Sequence, residues 1–313
     1  MLRLQERLAG GLVGMLVGDA LGVPYEFRAA RDIPVRSEIE FEPPVGFRRA
    51  HKAVPPGTWS DDGAQALCLL SSLLETGSLD PGDFAGKLRS WICDAEFTPD
   101  GRVFDRGIQT RNAFDRLFRG VPPDRSGPAG EMDNGNGSLM RVLPLALWHR
   151  GPDEQLYADA RSQSLCTHGH LRSQLCCAFY CLWARELLSG ADDGWLAAGE
   201  KMRGCAQEDE LALKEIEFIL REAHRSTVRG SGYVLDALWT ARVALQESSY
   251  EQVVRAAIAF GNDTDTTACI AGGLAGVRGG IDAIPERWKE GLRGRDVYEP
   301  LLTGLLRYHQ AKG

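Results

Sequence analysis

Trp59-Ser60-Asp61-Asp62-Gly63-Ala64-Gln65-Ala66-Leu67-Cys68-Leu69-Leu70-Ser71-Ser72-Leu73-Leu74 carries the decision about fold class. Leu67, Leu70, Ser71 and Leu74 recur at i, i+3, i+4 and i+7, which is the apolar stripe of an amphipathic helix. A similar period returns in Leu235, Leu238, Trp239 and Val243 and in Val253, Ala256, Ala257 and Phe260, and Leu211, Ile216, Ile219 and Leu220, in a stretch rich in Glu, Lys and Ala, suggest another helix. Alternating, strand-like runs are short and rare, so the chain is expected to be all-α. Two long stretches break the pattern. Glu42 to Gly57 contains Pro43, Pro44, Pro55 and Pro56, which remove backbone donors and fix φ, so it reads as a loop delivering the chain to Trp59-Ser60. Gly120 to Gly137 is rich in Pro, Gly, Asp and Asn. Loops of this length in a compact fold usually carry function. Neither an internal repeat nor a low-complexity linker divides the chain, and one multi-helix domain over residues 1–313 is the simplest account.

Bulk properties exclude several classes. The 313 residues are 43% hydrophobic and 25% charged, ordinary for a globular protein. A net charge of -7 without a dense Lys/Arg cluster argues against a polynucleotide partner. No stretch reaches the roughly 18 uninterrupted apolar residues that a membrane helix needs, and the Gly-rich run from Leu8 to Leu21 reads as a buried helix rather than a signal peptide. None of the eight cysteines forms a C-x-x-C pair. Cys177 and Cys181 share a helix face with Cys176 beside them, the pattern of core packing in a reducing cytoplasm.

The chemistry is concentrated in two acidic clusters. Ser60-Asp61-Asp62 precedes the helix already described, and Asp263-Thr264-Asp265-Thr266-Thr267 precedes the apolar segment Ala268 to Val277. Each alone suits helix capping, because short oxygen side chains satisfy the first N–H groups and carboxylates favour the positive end of the dipole. A cap needs one side-chain oxygen, however, and each cluster offers at least three. Surplus carboxylates repel unless a proton or cation neutralises them, and hard divalent ions take this type of oxygen ligand. Should the two clusters meet, they can hold two ions a few ångströms apart.

Gly135-Asn136-Gly137-Ser138-Leu139-Met140-Arg141 runs into an apolar helix and suits either an anion cradle or a plain turn. Arg141 would add charge for a phosphate or solvate the helix. Gly272-Gly273-Leu274-Ala275-Gly276 reads as a close-packing surface between helices. His168 and His170, two residues apart, do not share a helix face, and one imidazole beside a phosphate competes with a structural role. No G-x-S-x-G signature is present.

In order along nearly the whole chain, these motifs resemble the ADP-ribosylglycohydrolases, and most closely the bacterial dinitrogenase-reductase-activating glycohydrolase branch. The resemblance is carried by Gly18-Asp19-Ala20-Leu21-Gly22 with Glu26-Phe27, by Trp59-Ser60-Asp61-Asp62, by Val103-Phe104-Asp105-Arg106-Gly107 and by Gly135 to Arg141. Thr167-His168, Ser231-Gly232-Tyr233-Val234 and Gly261-Asn262-Asp263-Thr264-Asp265-Thr266 complete it. It implies an orthogonal all-α bundle with a binuclear Mg²⁺ or Mn²⁺ cleft. The implied metal ligands are Ser60, Asp61, Asp62, Asp263, Asp265 and Thr266, with Asp265 the candidate bridge. Glu26 would lie beside the scissile ribose and Asp105 near the acceptor. Gly135, Asn136, Gly137, Ser138, Met140 and Arg141 would cradle the diphosphate, His168 would lie near the phosphates or ribose, and Tyr233 would stack on the adenosine end.

The implied reaction is removal of ADP-ribose from mono-ADP-ribosylated protein, with arginine the favoured acceptor. The alternatives are serine-linked or other O-linked ADP-ribose, and a non-catalytic ADP-ribose-binding protein on the same scaffold. Asp61 or Asp62 would serve as base and Glu26 or Asp105 would assist the leaving group, although an Asp ligating two cations makes a better ligand than base. The expected partners are ADP-ribose and ADP-ribosylated protein, with no nucleic acid or membrane, and the chain itself is expected to be a monomer. Ser60 and Gly63 stand where the family often has Thr. Arg106 replaces an expected smaller or apolar residue, which bears on acceptor choice.

Overall fold

A computed structural model describes residues 2–311. Fourteen α-helices account for the ordered framework of the described residues: α1 Leu4–Gly22, α2 Asp61–Thr76, α3 Pro81–Asp94, α4 Ile108–Phe118, α5 Leu143–Trp148, α6 Asp153–Leu165, α7 Leu171–Leu188, α8 Trp195–Cys205, α9 Glu210–Ile219, α10 Val234–Ala244, α11 Tyr250–Ile258, α12 Thr264–Gly279, α13 Glu286–Gly291 and α14 Arg295–Gln310. Extended pairing among them is limited to two isolated bridges, Ala29 with Gly261 and Gly135 with Tyr233. The all-α expectation therefore holds. The four sets of apolar positions fall on α2, α9, α10 and α11, except that Leu220 lies just beyond α9 and Phe260 beyond α11. The chain turns there through Gly261 and Asn262, at φ 69° and 61°, a left-handed pair that ends the helix.

The centre of the molecule is the pair α1 and α12. A Cβ added at Gly10 would lie 2.2 Å from the Gly276 carbonyl oxygen, at Gly14 2.7 Å from that of Gly272, and at Gly18 2.1 Å from that of Ala268. A stripe of glycines four residues apart thus brings two helix backbones into direct contact, as Gly272 to Gly276 suggested. α1 is long and apolar enough to cross a membrane by length and composition, but its apolar window is wholly buried inside this fold. Arg7, buried near its start, donates from Nη1 to the carbonyls of Leu187, Val277 and Arg278, where cationic donors complement the C-terminal ends of α7 and α12. Cys176, Cys177 and Cys181 are free thiols buried on α7, in the packing role expected of them.

This pairing has a consequence for function. The last glycine of the stripe, Gly22, would place a Cβ 2.4 Å from the backbone nitrogen of Asp265, so the end of α1 abuts the start of α12. The Pro-rich stretch from Glu42 to Gly57 is non-α throughout and returns the chain to the start of α2.

Candidate metal centre

The N-termini of α2 and α12 converge beside the C-terminal end of α1. Their meeting is direct: Thr266 Oγ1 donates to Asp62 Oδ1 at 3.3 Å. Two positive helix ends therefore face one small volume, which favours anionic side chains there.

Capping accounts for little of this acid. Ser60 Oγ accepts from the Asp62 N–H at 3.3 Å, so this predicted ligand serves as the N-cap of α2. Asp19 does the rest, reaching from α1 to accept from the Ser60 N–H at 2.9 Å and the Gly63 N–H at 2.8 Å. Asp263 occupies the N-cap position of α12 but makes no side-chain cap hydrogen bond. Instead its Oδ2 accepts from Asn136 Nδ2 at 2.8 Å. Asp61, Asp62, Asp263 and Asp265 are thus surplus to the helix starts.

The surplus acid is buried and unneutralised. Asp265 is fully buried, and neither of its carboxylate oxygens has a hydrogen-bond partner among the described residues; Asp62 Oδ2 is in the same state. An orphaned buried carboxylate is costly. Burial pushes the carboxyls of Asp61, Asp62 and Asp265 well above the usual range, and repulsion from neighbouring carboxylates, Asp105 and Asp263 among them, adds to it. Asp19 is pushed up to about 7 by burial, against its bonds from Ser60 and Gly63. Carboxylate oxygens of Glu26, Asp263 and Asp265 lie within 4.8 Å of one another, close enough to share a cation. The donor set is all oxygen and the orphaned atoms belong to two helix starts that meet at Thr266 and Asp62, so these residues fit hard divalent ions.

A cleft of about 530 Å³ opens above them. Glu26, Asp61, Asp62, Asp105, Asp263 and Thr266 line its acidic part, and Gly135, Asn136, Gly137, Met140 and His168 its far wall. Glu26 reaches the site because the chain after α1 pairs with the chain before α12: the Phe27 N–H donates to the Asn262 carbonyl at 2.7 Å, and the Asn262 N–H to that of Arg28 at 2.6 Å. Burial first, then Asp105, Asp263 and Asp62, push the Glu26 carboxyl up to about 11. His51 Nε2 lies 2.6 Å from Glu26 Oε2, its own pKa lowered by burial. Its ring sits between those of Phe27 and Phe104, with centroids 5.7 and 5.1 Å away. Phe27, His51, Asp105 and Asn262 all hold positive φ, at 62°, 45°, 51° and 61°. Such backbone costs of order 1–3 kcal/mol per residue and gathers where function overrides local preference.

The glycine-rich segment is only partly a cradle. The Gly135 N–H donates to Gln109 Oε1 at 2.8 Å and the Asn136 N–H to the Gly232 carbonyl at 3.0 Å. The Gly137 and Ser138 amides keep no acceptor among the described residues. Gly137 is needed for space, because a Cβ there would lie 2.7 Å from His168 Cε1. His168 bonds through Nδ1 to Thr167 Oγ1 at 2.8 Å, and burial with the Arg141 charge lowers its pKa to about 3. It presents a neutral imidazole to the cleft.

Several predicted residues stand elsewhere. Arg141 is fully buried, with its donors spent on Gln65 and Gln163, so it lies behind the cleft wall and neither meets a ligand there nor solvates a helix. The Ser138 hydroxyl is likewise buried, bonded to Ser164 at 2.8 Å. Tyr233 lines an adjoining cavity of about 250 Å³, with His224 and Trp239, that meets the cleft at Ser231. Its hydroxyl accepts from Arg172 Nη1 at 2.8 Å. Conversely, the motifs pointed to no role for Asp19, His51 or Gln65. A lone Asp inside the apolar run Leu8 to Leu21 was the available signal for the first.

Comparisons with known proteins place the chain in a family. A family model for ADP-ribosylglycohydrolase matches residues 1–313. The ADP-ribosylarginine hydrolase Tri1 of Serratia proteamaculans is 30% identical over 295 residues, covering 92% of this chain and 75% of that protein. The ADP-ribosyl-[dinitrogen reductase] glycohydrolase of Rhodospirillum rubrum is 28% identical over 91% of this chain and 90% of its own. The human ADP-ribosylhydrolase ARH3 is 26% identical, covering 98% and 95%. A solved structure titled ADP-ribosylglycohydrolase-related protein complex superposes with a TM-score of 0.79 at 31% identity, over 98% of this chain and 99% of that one. The chain belongs to the ADP-ribosylglycohydrolase family.

Proposed function

We propose that the chain is a metal-dependent hydrolase that releases ADP-ribose from ADP-ribosylated protein, with arginine the preferred acceptor and two Mg²⁺ or Mn²⁺ ions in the acidic centre. The observation that carries this reading is the set of orphaned, buried carboxylate oxygens of Asp62, which lines the cleft, and of Asp265, buried next to its lining residue Thr266. Asp61, Asp62, Asp263, Asp265 and Thr266 would hold the ions, with Asp265, whose two oxygens are both free, in the shared position. When bound, such ions supply Lewis acidity and orient the ribose hydroxyls and water.

The chain's own groups do the rest. Glu26, which lines the cleft beside the acidic centre, would in its protonated form donate a proton to the departing nitrogen as the bond to the anomeric carbon breaks. The surrounding carboxylates stabilise the oxocarbenium character that develops. Asp61 and Asp62 each have one oxygen engaged, by Gln65 Nε2 at 2.9 Å and by Thr266 Oγ1 at 3.3 Å, and the remaining oxygen of either would take a proton from water. The Gly137 and Ser138 amides and the neutral His168 suit the diphosphate, and Tyr233 the adenosine end. Asp105 at the cleft mouth complements a guanidinium, which favours arginine over a neutral acceptor. Supplying arginine-linked and serine-linked ADP-ribosyl peptides with Mg²⁺ tests the acceptor. Faster release from arginine is expected; release from serine alone would refute the preference.

A further inference from the structure

Arg141 has no exposed surface and no carboxylate within ion-pair range among the described residues. A buried cation without an anion is expensive unless hydrogen bonds absorb its charge. Here Nε and Nη2 donate to the side-chain and backbone oxygens of Gln163, at 3.0 and 2.9 Å, and the guanidinium lies 5.1 Å from the Phe84 ring centroid. The remaining bond runs from Nη1 to Gln65 Oε1 at 2.8 Å.

That last bond has a directional consequence. A guanidinium only donates, so Gln65 must turn its carbonyl oxygen towards Arg141 and its amide nitrogen the other way. The amide nitrogen then donates to Asp61 Oδ2 at 2.9 Å, one helical turn back along α2. The result is a polarised relay from a buried cation, through a neutral amide, to a carboxylate of the acidic centre. It fixes the Asp61 rotamer and occupies one of its oxygens. A neutral amide, unlike a guanidinium in a direct Arg–Asp ion pair, also does not compete with a cation for the Asp61 carboxylate. Gln163 anchors the same guanidinium to α6 but touches none of the acidic residues.

We propose that Arg141 and Gln65 are positioning residues that present Asp61 to a divalent cation, through the chain Arg141–Gln65–Asp61. This rests on the metal-centre reading above. Outer partners of metal ligands typically contribute about 10–100-fold in metal affinity.

The test is Mn²⁺ binding by titration calorimetry on the full chain, comparing wild type with Gln65→Met and Gln163→Met. Both variants lose a bond to Arg141 and should melt lower in EDTA. Only Gln65→Met should bind Mn²⁺ more weakly, by about tenfold or more, while Gln163→Met stays within about twofold, since it sits on the far side of the guanidinium. Gln65→Asn is too short to bridge both partners and is expected to repeat the loss should the Met variant not fold. Wild-type Mn²⁺ affinity in the Gln65 variants, or equal losses at both glutamines, would overturn the proposal. Absence of Mn²⁺ binding by the wild type would instead sink the metal-centre reading and this inference with it.

Discussion

Remove divalent cations with a chelator and raise the pH from about 5 to about 8. The protein is expected to lose stability across that interval, against the usual behaviour of carboxylates in ion pairs. The sign follows from linkage. Asp19, Glu26, Asp61, Asp62 and Asp265 all have folded-state pKa values above their ordinary ones. The folded state therefore binds more protons than the unfolded one. The stabilisation is fully present below the ordinary carboxyl pKa and fades as pH rises through the folded value. For Asp19, pushed up from 3.8 to about 7, the loss begins near pH 4 and is complete soon after pH 7. Between pH 5 and pH 7 this one group loses roughly 3 kcal/mol, at about 1.4 kcal/mol per pH unit. Glu26, raised to about 11, pulls the same way across the whole interval. For 313 residues, at about 2.1 cal/mol/K per residue, roughly 3 kcal/mol lowers Tm by about 4–5 °C. Melting by circular dichroism in EDTA at the two pH values measures it. Added Mg²⁺ or Mn²⁺ should abolish the loss at pH 8, because cation binding replaces the protons. A Tm in EDTA that is flat or rises from pH 5 to pH 8 would show that these carboxylates are not confined as described.

Three further outcomes follow from other parts of the structure. Gly18→Ala drives a Cβ to 2.1 Å from the Ala268 carbonyl oxygen and should cost about 2–3 kcal/mol in denaturant melts; wild-type stability would mean that α1 and α12 are not in backbone contact. His168→Ala should weaken ADP-ribose binding by about tenfold, the value of one hydrogen bond to a charged group, and because the imidazole stays neutral above about pH 3 the loss should be the same at pH 5 and pH 8. His51→Ala removes the partner of Glu26 and should slow turnover by about tenfold or more with little change in ADP-ribose affinity; unchanged turnover would take His51 out of the catalytic arrangement.

What could be read in the sequence was local. The helical period of α2, α9, α10 and α11, the glycine segment of α12 and the two acidic clusters each declare themselves within a few residues. The excess of carboxylates over capping needs gave reason to expect the clusters together. Their convergence, however, depends on the glycine stripe of α1, whose partner lies at the other end of the chain. The same limit explains the residues whose partners the motifs did not reveal. Arg141 beside a Gly-rich turn has the local signature of a phosphate ligand, and only its distant partners Gln65 and Gln163 reveal a buried guanidinium. Asp19 caps a helix that begins more than forty residues later, with |i−j| of 41 to Ser60. His51 sits in a Pro-rich loop whose composition says nothing about which carboxylate it will meet. Asn136 falls in the predicted segment, but its bond to Asp263 spans 127 residues.

The central claim is that the paired acidic helix starts bind cations that release ADP-ribose. Hydrolysis of an ADP-ribosyl-arginine protein, wild type beside the double variant Asp263→Ala with Asp265→Ala, each with Mg²⁺ and with EDTA, tests it most directly. Free ADP-ribose should appear only for the wild type and only with the metal. Release by the double variant, or undiminished release in EDTA, would contradict the account.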